Sequence, residues 1–261
     1  MTRTLIAALA AAALATPAAA KVKTKQIEYE AGGTKLQGFL AWDDAAKGKR
    51  PGVLVVHEWW GHNEHARAQA RRAAEAGYVG FALDMFGKGK VTTHPEDAKA
   101  FVQEATKDPA VTTARFDAAM EILRKQPQVD PARIGVMGYC FGGGVALGMA
   151  RAGKDLDAVA TFHASLAPRG APAEAGKVKP RILVQTGGKD PMIPAEQVKA
   201  FEDEMKSAGV DARVVVYPEA KHAFTNPDAG KAGMDALAYD READQKSWDE
   251  ARKFFRETFG G

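Results

Sequence analysis

The sequence predicts an α/β domain with a mostly parallel central sheet and helices on both faces, and three observations predict it. Short apolar runs without alternation recur along the chain, as strands buried on both faces of a parallel sheet require. Amphipathic helical patterns separate these runs, and turn residues mark the joins. Alternation of β and α at this scale implies right-handed crossovers, with ligands bound at the carboxyl ends of the strands.

Residues 26–31 and 35–42 read as two strands joined by Gly32 and Gly33, a hairpin signal. Pro51-Gly52 then leads into the apolar run 53–56, and runs of the same kind follow at 78–83, 133–137, 158–162, 182–186 and 213–217. Between them, the segment after Asn63 puts Ala66, Ala70, Ala73 and Ala74 on one helical face and stops at Gly77. The segment after Pro194 does the same with Val198, Phe201, Met205 and Ala208, and stops at Gly209. Residues 117–125 are helical by composition, and the last helix carries Trp248, Ala251 and Phe255 on one stripe. Residues 85–95 read as a loop and a candidate active-site rim; residues 167–179 read as a surface loop with room for a short helix.

With 261 residues, 46% hydrophobic and 26% charged, the chain suits one large domain with a substantial core. The first twenty residues differ: Arg3 precedes an apolar Ala/Leu run, and Pro17-Ala18-Ala19-Ala20 offers a cleavage site before Lys21. This is the pattern of a secretory signal peptide cut after Ala20, which leaves residues 21–261 as a single domain in the periplasm or outside the cell. No later segment approaches the roughly 20 apolar residues of a spanning helix, so no stable membrane association is expected. Loss of Arg3 takes the formal charge from +3 to +2, near neutral, which argues against a nucleic-acid partner. A single cysteine forms no internal disulfide, so stability must come from the core.

That cysteine sits in Gly138-Tyr139-Cys140-Phe141-Gly142-Gly143. A strand-like run precedes this segment, and a helix-compatible one, residues 143–150, follows. A nucleophile on a sharp strand-to-helix turn needs neighbours without side chains two positions before and after it, where a β-carbon would strike backbone. Gly138 and Gly142 meet that demand. A lone cysteine is more often a small buried hydrophobe, so the reading needs partners. Asp190, in Gly188-Lys189-Asp190, and His222, in Lys221-His222-Ala223, each follow an apolar run at what should be one edge of the sheet. The chain order nucleophile, acid, histidine is that of α/β hydrolases. Alone, Asp190 could simply start a turn and His222 could simply lie exposed.

A zinc reading of His57-Glu58 fails on spacing, because the next histidine is His62 and ligands on one helical face must be four apart. His62 and His65 have helical spacing but no third ligand nearby. No metal site and no cofactor are expected.

The chain resembles the dienelactone hydrolase family of α/β hydrolases over nearly all of residues 25–258. The resemblance rests on residues 57–61 (His57-Glu58-Trp59-Trp60-Gly61), 138–143, 188–190 and 217–224. It implies an α/β-hydrolase fold, a small ester or lactone as substrate, Cys140 as nucleophile, His222 as base and Asp190 as the carboxylate that orients it. It also implies that Glu58 holds the thiol at rest and helps it ionise. The oxyanion would be met by the backbone N–H groups of Trp59 and Phe141. Family members grip a substrate carboxylate with two arginines, where this chain has Lys88 and Asn226, so carboxylate recognition should be weaker or relocated. Trp60, beside Trp59, and His163, after the sixth strand, are expected to line the pocket. A broad carboxylesterase or thioesterase would use the same residues, and a non-catalytic binding protein could use the same fold.

Overall fold

The computed structural model describes residues 21–260; the expected signal segment 1–20 lies outside the described residues. The strands are β1 (Val22–Ala31), β2 (Thr34–Asp43), β3 (Arg50–Val56), β4 (Val79–Leu83), β5 (Val129–Tyr139), β6 (Ala158–Phe162), β7 (Arg181–Gly187) and β8 (Ala212–Tyr217). The helices are α1 (Glu64–Glu75), α2 (Pro95–Thr106), α3 (Pro109–Arg124), α4 (Phe141–Arg151), α5 (Ala195–Ser207) and α6 (Arg241–Phe259), with a 3-10 turn at Ala229–Ala232. The sheet runs in the order β1-β2-β4-β3-β5-β6-β7-β8. Strands β3 to β8 are parallel, and β1 and β2 form the antiparallel edge.

Alternate residues of the central strands feed two cores. Leu54, Val56, Val136, Val159 and Val184 face Phe116, Val145, Met149, Phe201 and Met205 of α3, α4 and α5. Val53, Val55, Met137 and Leu183 face α1 and α6 through Ala66, Ala70, Ala73, Ala251 and Phe255. Helix α1 starts at Asn63, whose side chain accepts the Ala66 N–H at 3.3 Å. Its alanine face lets it lie close to the sheet: a β-carbon on Gly80 of β4 would stand 2.3 Å from the Ala70 carbonyl oxygen. No helix among the described residues is long and apolar enough to cross a membrane.

Each strand expected from the sequence is present, extended by one or more residues at most ends. Two differences concern helices. Helix α2 was not expected, because it buries only Ala98 and Ala105 and so lacks a long apolar stripe. Helix α3 begins eight residues before the expected start, at Pro109, with Asp108 capping the Ala110 N–H at 2.8 Å. Residues 167–179 form turns without a helix.

Gly80→Ala should therefore push α1 off the sheet and cost about 3 kcal/mol. Urea unfolding followed by circular dichroism would measure it, and an unchanged midpoint would contradict the close approach.

Candidate active site

The end of β5 delivers Cys140 on a strained turn. Its φ is +50° and ψ −115°, and α4 begins at the next residue. A non-glycine residue is held there only by its surroundings. A β-carbon on Gly138 would stand 2.5 Å from the Gly142 carbonyl oxygen, and one on Gly142 would stand 2.3 Å from the Val56 carbonyl oxygen. The Cys140 N–H donates to Phe162 at 3.0 Å, and its carbonyl accepts the Gly143 and Gly144 N–H groups at 3.1 and 3.3 Å. The turn is thereby tied to both β6 and α4.

Asp190 follows β7 and His222 follows β8. The His222 Nδ1 and Asp190 Oδ2 are 2.7 Å apart, both residues nearly fully buried, while Asp190 Oδ1 accepts the Met192 N–H at 2.8 Å. Nδ1 therefore carries the proton donated to the carboxylate. Nε2 falls short of a regular hydrogen bond to any described atom, and the Cys140 sulfur is the group nearest in effect. Burial opposes charging this ring. An ionised Cys140 and the Asp190 carboxylate outweigh burial and hold the imidazole up to about 10. The main chain of His222 is fixed too: its N–H donates to Ala236 and its carbonyl accepts from Ala238, each at 3.1 Å.

Glu58, in the loop after β3, is 2% exposed. Its Oε2 accepts the Asn226 Nδ2–H at 2.6 Å, while Oε1 is buried with no partner. Burial pushes the carboxyl up to about 7, against the lowering effects of the Asn226 bond and the His222 charge. Its neighbour His57 accepts the Met85 N–H on Nε2 at 3.1 Å, so its proton sits on Nδ1 and is donated to the Glu58 carbonyl at 2.6 Å. Burial keeps this ring neutral.

Phe141, first in α4, has an N–H with no partner inside the helix. The Trp59 N–H makes no backbone hydrogen bond among the described residues. Both N–H groups are thus free for an oxyanion. Trp60 is buried against Trp59, ring centres 4.7 Å apart, and lines a cavity of about 640 Å³ with His65, Val91, His94 and Asn226. That volume suits a small organic molecule.

Lys88, Asn226 and His163, expected to face the substrate, are each engaged with other residues. Lys88 is half exposed and paired with Glu28 at 2.6 Å, so its charge is already met. Asn226 borders the cavity, but its amide is committed to Glu58. His163 is fully buried, with Nε2 2.8 Å from the Thr225 hydroxyl and its ring centre 5.2 Å from that of His222. It supports the imidazole from behind, and burial together with the His222 charge holds it well below the ordinary histidine range.

Two supporting residues escaped the sequence reading. Asp84 accepts the Phe86 and Gly87 N–H groups, each at 2.9 Å, and Arg115 donates to the Met85 carbonyl at 2.6 Å. Together they hold the loop that fixes His57. An aspartate directly after an apolar run was the available signal for Asp84; Arg115 offered none.

Asn226→Leu should leave Glu58 without its hydrogen bond, so the carboxyl keeps its proton to higher pH. The acidic limb of kcat/KM, expected near 7 from Glu58, should move up by about one pH unit. A limb that stays in place would disconnect Asn226 from that titration.

The chain is similar to known proteins over most of its length. The model of the dienelactone hydrolase family matches residues 36–259. The solved structure named m3DLH is 39% identical with a TM-score of 0.86, covering 91% of this chain and 98% of its own. A dienelactone hydrolase-like promiscuous phosphotriesterase from metagenomic libraries is 36% identical with a TM-score of 0.86 and the same coverage. Protein usf of Aquifex pyrophilus is 29% identical over 238 residues, 89% of this chain and 98% of its own. With most of its length matched and its sheet superimposable on these structures, the chain belongs to the dienelactone hydrolase family.

Proposed function

We propose that this ester-bond hydrolase works through Cys140 as nucleophile and a thioester acyl-enzyme. The observation that carries the reading is the line Asp190, His222, Cys140, with one buried 2.7 Å hydrogen bond fixing the imidazole so that Nε2 is left for the sulfur.

The thiolate attacks the carbonyl carbon of a bound ester or lactone, and the resulting oxyanion is met by the Trp59 and Phe141 N–H groups. One such donor contributes about 3 to 4 kcal/mol to the barrier reduction. Collapse breaks the bond to the leaving oxygen, which takes a proton from the His222 imidazolium, and leaves a thioester on Cys140. Water then attacks the thioester and gives a proton to Nε2, and the acid departs as the thiolate returns. A thiolate leaves more readily than an alkoxide. The first step therefore favours esters whose leaving group is already stabilised, such as enol esters and activated lactones. Glu58, with Oε1 free, is the acceptor for the thiol proton when the resting enzyme holds Cys140 neutral.

The likeness to a promiscuous phosphotriesterase favours a second substrate class, neutral phosphotriesters entering the same cleft. Release of 4-nitrophenol from paraoxon, lost in Cys140→Ala, would support it.

Cys140→Ala should abolish release of 4-nitrophenol from 4-nitrophenyl acetate, and Asp190→Asn should lower kcat by about 10³ to 10⁴. Intact-protein mass spectrometry of His222→Ala with the same ester should show an acetyl adduct on Cys140. Wild-type turnover by the Cys140→Ala protein would refute the nucleophile.

We further infer that residues 1–20 are removed on export. N-terminal sequencing of the protein from a periplasmic extract should begin at Lys21, and an intact Met1 would refute it.

A further inference from the structure

His163 stands just past the end of β6 with φ +42°, a conformation that a side chain keeps only where its surroundings hold it. Its main-chain N–H donates to the Gln185 carbonyl at 2.8 Å, which ties it to β7. Its side chain is fully buried among groups from three parts of the chain. Nε2 lies 2.8 Å from the Thr225 hydroxyl. The ring stands at 66° to that of His222 and at 83° to that of Phe224, with centres 5.2 Å apart in each case. Its centre is also 6.1 Å from that of Tyr139, the residue before Cys140. Nδ1 is buried with no partner. A buried N–H without an acceptor costs more than a bare lone pair, so the proton sits on Nε2 and is donated to the Thr225 oxygen.

The His222 ring is held at one point by the 2.7 Å bond to Asp190, while its Nε2 has no regular bond to a described atom. A single hydrogen bond leaves a planar ring room to pivot, and a pivot would carry Nε2 away from the sulfur. A second ring packed across its flank removes that freedom. We infer that His163 and Thr225 form a positioning pair for the His222 imidazole. Thr225 fixes the plane of the His163 ring, and that ring blocks the pivot. Thr225 lies three residues after His222, so the loop that carries the base also locks its own stop. A phenyl ring could fill the same space but would offer Thr225 no N–H donor. Burial keeps His163 neutral, so no second cation stands beside the imidazolium. The pair acts through His222, and the inference rests on the reading of His222 as the base for Cys140.

Thr225→Val removes the hydroxyl at nearly constant volume. With 4-nitrophenyl acetate it should lower kcat about tenfold and leave KM within about twofold, because orientation is lost and not substrate contact. Proton NMR of the histidine-labelled protein should show the Nδ1 proton of His222 exchanging with water about tenfold faster. Thr225→Ser restores the hydroxyl and should return both quantities to within about twofold of wild type. His163→Phe should match Thr225→Val. The double variant should fall within about twofold of the poorer single, since both changes break one bond. Unchanged kcat and exchange in Thr225→Val, failure of Thr225→Ser to restore them, or effects that multiply in the double variant would overturn the pair. If His163→Phe does not fold, the two Thr225 variants decide the matter alone. Wild-type turnover by the Cys140→Ala protein would instead overturn the nucleophile, and the exchange rates would still decide the pair.

Discussion

The contact on which the rest depends is the approach of the Gly142 backbone to the carbonyl oxygen of Val56, so close that a methyl group would not fit between them. It seats the first turn of α4 on the end of β3 and forces the preceding residue into a conformation that side chains avoid. The sulfur is thereby raised above the sheet, the Phe141 N–H is left open, and the loop carrying Glu58 and Trp59 comes alongside. Strain at such a turn costs of order 1 to 3 kcal/mol, which the two cores on either side of the sheet offset. The same kind of strain recurs at His163 and Ala223, the other non-glycine residues with positive φ among those described. Cys140 and His163 directly follow β5 and β6 and Ala223 directly follows His222, so all three surround one imidazole.

Charge is arranged around that imidazole in a specific way. Every other described histidine with a displaced ionisation (His57, His62, His65 and His163) is driven toward neutrality by burial. Only His222 is driven the other way, because a carboxylate on one nitrogen and the sulfur near the other, when ionised, exceed the burial cost. A ring that keeps its proton stabilises a neighbouring anion and stands ready to protonate a leaving oxygen. Glu58 lies on the opposite side of this balance, a carboxyl buried enough to hold a proton near neutrality yet kept partly ionised by a neutral amide.

The parts legible in the sequence were those with local causes. Apolar runs gave the parallel strands, the spacing of alanines gave the buried face of α1, and two glycines around Cys140 gave the turn, because each follows from neighbours along the chain. What was not legible depends on distant pieces. Asn226 and Glu58 are 168 positions apart, and no pattern in either segment announces the bond between them. Lys88 looked available until β1 placed Glu28 beside it. Helix α2 has too small an apolar face to be seen by periodicity.

The segment between residues 222 and 238 has a property that bears on how this enzyme could change. Both backbone groups of His222 are bonded to the far end of the segment, at Ala236 and Ala238, so the stretch is a closed span resting on two fixed posts. Asp228, Lys231 and Ala232, which wall the cavity of about 640 Å³, belong to the span and not to the posts. Substitutions or short insertions there would reshape the chamber while the proton-handling ring stays where it is. At those three positions the chamber can drift across generations while the hold of Asn226 on Glu58 is kept.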